Sequence, residues 1–139
     1  MRRMKIRDIE ERADIEAVVA NFYELVRRDD LLGELFERQI GPHWGDHQAR
    51  VCDFWETVLL GGTQFKSRAL LRHLDVDDLG PLCPFHFNRW CTLFERSVEH
   101  QFCGKTAERA ITRARAMSHS LQLQLSRQRG SCPLAELLQ

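Results

Sequence analysis

The sequence predicts an all-α domain. Apolar residues recur at helical spacing in four separate stretches, and no stretch shows the period-two alternation of a half-buried strand. Glycine and proline gather between the stretches, where chain reversals are needed. A chain of 139 residues suits one domain, which we take as 1–139 with 130–139 a poorly ordered tail.

The first stretch, Asp14 to Arg28, places Ile15, Val18, Val19, Phe22, Tyr23 and Val26 on one stripe. Asp8-Ile9-Glu10-Glu11 resembles a capping box and predicts a short helix before it. Leu31 to Phe36 reads as a turn and a short helix, broken at Ile40-Gly41-Pro42. A second stripe follows, Trp44, His47, Val51, Phe54, Trp55, Val58 and Leu59, and Gly61-Gly62 ends it. Ser67 caps a brief helix through His73 and Leu74, and 75–84 reads as an acidic loop. A third helix starts near Pro84, since proline is tolerated in a first turn, and Gly104 stops it. Its inward face carries Phe87, Trp90, Leu93 or Phe94, Val98 and Phe102. The fourth runs from about Lys105 to Arg127 and breaks at Gly130-Ser131-Cys132-Pro133.

Composition narrows the function classes. Lys plus Arg total 20 and Asp plus Glu total 20, so the formal net charge is zero with histidine neutral. Nucleic acids and anionic membranes call for a positive excess, so neither is an expected partner. No uncharged apolar run approaches the roughly 18 residues that span a bilayer. The chain starts without the apolar stretch of a signal peptide, so a cytoplasmic location is expected. The five cysteines form no Cys-x-x-Cys pair and are expected to be packed thiols. The absence of Cys-x-x-Cys-His means that a haem, if bound, is held without thioether bonds.

Three features carry chemistry. Tyr23, His47 and Trp90 each put a hydrogen-bonding group on the apolar face of a different helix. Buried polar groups are costly unless paired, so the three either line one polar pocket or bond separately to nearby carbonyls. His43 and His47 have a metal-ligand spacing, but the segment lacks the glutamate and third ligand of a zinc hydrolase. His73, within Leu70-Leu71-Arg72-His73-Leu74-Asp75, has apolar neighbours and a carboxylate nearby that could hold one ring nitrogen, but many surface histidines have such neighbours and alone these residues mark no iron ligand. Phosphate loops and nucleophile elbows are absent from the sequence.

Taken in order, these residues resemble a family. Phe22-Tyr23-Glu24-Leu25-Val26-Arg27, His47, Phe54-Trp55, Val58-Leu59-Leu60-Gly61, His73-Leu74, and His86-Phe87-Asn88-Arg89-Trp90 with Leu93-Phe94 are similar to the group III truncated haemoglobins of bacteria. The match spans about Ile15 to Leu125. It implies a truncated globin fold, a two-over-two helical sandwich around one non-covalent haem b. It implies His73 as the proximal iron ligand, with Tyr23, His47, Val51 and Trp90 around the distal pocket. Phe36, Phe54 and Leu70 then pack on the haem, and Arg72, Arg68 or Lys66 pair with its propionates. The chain departs from the family where members commonly carry Tyr-x-Gly-x-Pro, reading Phe65-Lys66-Ser67-Arg68-Ala69 instead, and Asn88 stands where aspartate is common.

The implied function is reversible binding of dioxygen and other diatomic ligands at a five-coordinate iron. Redox chemistry or detoxification of reactive oxygen and nitrogen species is the favoured use, of a peroxidase-like or nitric-oxide dioxygenase-like kind, with an unidentified reductase as a partner. The alternatives are a gas sensor or oxygen store without turnover, and a haem-free helical interaction module. Fold alone does not choose among them.

Overall fold

The computed structural model describes residues 6–61 and 83–129. Five α-helices order the chain: α1 (Arg12–Arg28), α2 (Gly33–Ile40), α3 (Trp44–Leu60), α4 (Pro84–Gln101) and α5 (Lys105–Arg129), with a 3₁₀ turn at Gly41–His43. No strand occurs among the described residues, and Arg7 forms only an isolated bridge with Phe102. The brief helix expected between Ser67 and Leu74 and the expected tail lie outside the described residues.

The stripe on α1 is buried as its spacing requires: Ile15, Val18, Val19, Phe22, Tyr23 and Val26 all face inward. Its start is set by Asp14, whose carboxylate accepts the backbone N–H groups of Glu10 at 2.8 Å and Glu11 at 3.1 Å. Arg7 closes on the same carboxylate at 2.7 Å. The short helix expected at Asp8 does not form. Instead Asp8 accepts the N–H groups of Thr106 and Ala107, each at 2.9 Å, and so caps α5 across the fold. The first N–H groups of a helix lack internal partners, so a short carboxylate is better used there than in a nascent turn.

The turn and short helix expected from Leu31 form, with α2 starting at Gly33 after a turn tied by Asp29. The Asp29 carboxylate accepts the Leu31 and Leu32 N–H groups at 3.0 and 2.9 Å and pairs with Arg89 of α4. Gly33 is required where α2 meets α1: a Cβ there would lie 2.8 Å from the Arg27 carbonyl oxygen. α3 ends on Gly61 in the left-handed region, φ 80°, as the Gly61-Gly62 pair predicts. Arg109 reaches from α5 to the freed Leu59 carbonyl at 3.0 Å. At the head of α4, Pro84 occupies the first turn, and buried His86 accepts the Cys83 N–H through Nδ1 at 2.9 Å.

α1 lies at the centre, packed against α3 and α4, while α5 covers α4 and part of α3. Phe22, Trp55 and Phe94 form the middle of the core, with Trp55 stacked on Phe94 at 4.8 Å. Ser97 donates to the Val18 carbonyl at 2.7 Å, satisfying a hydroxyl that is wholly buried. Cys52, Cys91 and Cys103 are free thiols; Cys52 is buried and Cys91 partly so, whereas Cys103 is exposed, against the expectation of packing. Cys83 is disulfide-bonded, which corrects the expectation of thiols throughout.

Candidate functional site

Tyr23 projects from the middle of α1 and is almost wholly buried. His47 projects from the first turns of α3, directly opposite. The phenol oxygen and His47 Nε2 are 2.8 Å apart, and the rings meet edge to face at 5.1 Å. Both helices bring them there by the apolar stripes that place their neighbours in the core.

Burial governs the charge state of this pair. It pushes the Tyr23 phenol far above its ordinary value, with the Cys52 thiol adding in the same direction. It drives His47 down to about 4, and Arg50 contributes further. Both groups are therefore neutral at pH 7, joined by one hydrogen bond. In one imidazole tautomer the Tyr23 O–H donates to Nε2. In the other, Nε2–H donates to the phenol oxygen and the Tyr23 hydroxyl proton is free to turn elsewhere.

Trp90 of α4 is half-buried. Its ring stacks on Phe94 at 5.8 Å and meets Phe22 edge to face at 5.5 Å. Phe22 in turn touches Tyr23 at 4.8 Å, so Trp90 joins the Tyr23–His47 pair through Phe22 and makes no ring contact with either. Its indole N–H has no hydrogen-bond partner among the described residues. Val51 is buried one turn beyond His47, and Phe36 and Phe54 are buried in the same core cluster. His73, Leu70, Arg72, Arg68 and Lys66 lie outside the described residues.

His43 is exposed in the 3₁₀ turn while His47 points inward, so the two do not share a face. No group of three metal-ligating side chains comes together among the described residues. The donor set around Tyr23 suits a haem instead. Neutral hydroxyl, imidazole and indole groups project from apolar walls, and one of them holds an N–H without a partner. Charged ligands for a bare cation are not among them.

Sequence reasoning passed over the residues around this pair. Trp44, read only as part of the α3 stripe, donates its indole N–H to Glu37 at 2.7 Å and lies under the Arg27 guanidinium at 4.9 Å. Arg27 closes the first stretch of the family resemblance and Glu37 is an ordinary exposed charge by sequence, and no pattern joins either of them to Trp44.

No family model matches the chain. The group 3 truncated hemoglobin ctb of Campylobacter jejuni is 33% identical over 104 residues, covering 73% of this chain and 80% of that protein. The crystal structure of the group III truncated hemoglobin from Campylobacter jejuni superimposes with a TM-score of 0.75 at 29% identity, covering 87% of this chain and 95% of the other.

Proposed function

The chain belongs to the group III truncated haemoglobins, and on that premise we propose that it holds one non-covalent haem b through His73 and uses Tyr23, His47 and Trp90 to retain a small diatomic ligand for redox chemistry. The observation that carries this reading is the neutral Tyr23–His47 hydrogen bond, partly buried between the inner faces of α1 and α3. A haem, when bound, would supply an iron that binds dioxygen or a related diatomic and exchanges electrons with it.

The chain's own residues decide how long the ligand stays. A polar ligand against this wall meets the Tyr23 hydroxyl, which His47 can free by holding the phenol oxygen from its Nε2–H. Trp90 offers a second N–H that only donates. If each bond contributes about 1.5 kcal/mol, the two together slow release on the order of 100-fold. Slow release favours reaction on a held ligand over delivery of oxygen. Val51, Phe36 and Phe54 keep water away, which strengthens each bond. Arg72, Arg68 and Lys66 are the candidate partners for the haem carboxylates, and the electrons come from a reductase of unidentified kind.

The purified protein is expected to show a Soret band, and acidified butanone is expected to extract all of the pigment. A colourless protein at full occupancy of its fold contradicts the haem. Pigment that stays with the denatured chain contradicts non-covalent attachment.

A further inference from the structure

The Tyr23–His47 pair has a neighbour built around it. Trp44 lies one turn before His47 on α3, and its ring meets Tyr23 edge to face at 5.4 Å and His47 at 6.4 Å. Arg27 lies one turn beyond Tyr23 on α1, with its guanidinium 4.9 Å from the centre of the Trp44 ring. Glu37, on α2, accepts the Trp44 indole N–H at 2.7 Å and approaches Arg27 at 3.8 Å. Three helices thus contribute one residue each to a closed triangle, and the triangle sits one turn away from the pair on both helices that carry it.

We propose that Arg27 and Glu37 clamp Trp44, and that Trp44 is a positioning residue holding His47 against Tyr23. Trp44 is only 7% exposed, and an indole N–H can only donate. Glu37 is its sole hydrogen-bond acceptor among the described residues. A cation over the ring face and an acceptor on its edge together fix both the tilt and the rotation of the indole. Residues three apart on a helix share a face, so a fixed indole bars His47 from swinging back toward the head of α3. Arg27, four residues after Tyr23, couples the same indole to the helix that carries the phenol. The clamp therefore sets the register between α1 and α3 at the level where Oη must meet Nε2. Its consequence for ligand release rests on the reading given under Proposed function; the geometry it controls does not.

The test uses the full-length protein as purified, reduced under carbon monoxide, with tyrosine carrying ¹³C at Cζ. Tyr23 is the chain's single tyrosine, so one resonance reports the phenol. Histidine ring resonances report His47, and the indole proton of Trp44 reports whether its bond to Glu37 is present. In Glu37→Ala and Arg27→Met the indole proton is expected to shift. The Tyr23 Cζ resonance is then expected to move as its bond to Nε2 loosens, and His47 is expected to protonate about one unit higher in pH, a tenfold change. Glu37→Gln keeps an acceptor and is expected to restore the Tyr23 resonance and the His47 titration to near their wild-type positions. The proposal is overturned if the indole bond is lost while the Tyr23 resonance and the His47 titration stay as in the wild type. It is equally overturned if Glu37→Ala leaves the indole proton unmoved. Arg27 and Glu37 are about half exposed, so both variants fold. A missing Soret band would sink the haem reading separately, since these signals are readable with or without pigment.

Discussion

Tyr23 and His47 meet across two helices with the phenol oxygen and Nε2 2.8 Å apart, both uncharged at neutral pH. A neutral bond of this kind can redirect its proton without leaving a buried charge behind. An ion pair in the same place would resist that, because each partner would lose its counter-charge in a medium of low polarity. On the proposed function, the neutrality of the pair is what allows one hydroxyl to serve both the histidine and a ligand.

Replacing Tyr23 with phenylalanine is expected to speed dioxygen release by about tenfold, one hydrogen bond's worth. Trp90→Phe is expected to act likewise, since its free N–H is a donor without a partner among the described residues. The double variant is expected to depart from additivity, since on the proposed function both groups meet one ligand. Carbon monoxide, less polar when bound, responds more weakly. Flash photolysis and ligand replacement measure these rates. Off-rates for dioxygen unchanged in both single variants leave the pocket merely packed around its ligand.

Acid is expected to weaken the fold through His47. Its folded value of about 4 lies below the ordinary 6.5, so the unfolded chain binds the proton first. The contribution is fully present above pH 6.5 and is lost as pH falls from there toward 4. His86, also held low by burial, acts in the same direction. Urea unfolding of the wild type and His47→Phe at several pH values isolates the effect. The stability gap between them should change across this window and be constant above it; a gap independent of pH contradicts the depressed value.

Asp29 ties the α1–α2 turn to α4 and is expected to matter more than its loop position suggests. Burial alone would raise its carboxyl, but the Leu32 N–H, the Arg89 guanidinium and the Leu31 N–H outweigh it and hold the group low. Asp29→Ala removes the turn bonds and the ion pair together and should cost about 2 kcal/mol. Asp29→Asn keeps an acceptor for the N–H groups and should cost less than about 1 kcal/mol, because Arg89 is half exposed. Equal losses in the two variants, measured by urea unfolding, would show that the charge and not the turn is what stabilises.

Much of the helical frame was legible because the apolar spacing on each long helix is the burial pattern. Pro84, Gly61 and Gly104 mark helix limits for local steric reasons that a sequence displays. Tyr23 and His47 were legible as inward polar residues, although spacing alone did not say that they touch. Only the ordered resemblance to a family joined them with Trp90. Asp8 was misread because its local pattern suits a capping box, whereas its partners lie on α5, nearly a hundred residues away. The Arg27–Glu37–Trp44 triangle left no trace for the same reason. A charge on an exposed helical face looks alike in sequence whether it meets water or another helix.

The most direct test of the central claim is the absorption spectrum of the purified protein beside that of its His73→Ala variant. A Soret band at one haem per chain in the wild type, abolished or severely weakened in the variant, is the expected result, since the proposed function gives the iron one strong axial ligand. A His73→Ala protein that binds stoichiometric haem and keeps a normal five-coordinate ferrous spectrum would contradict it.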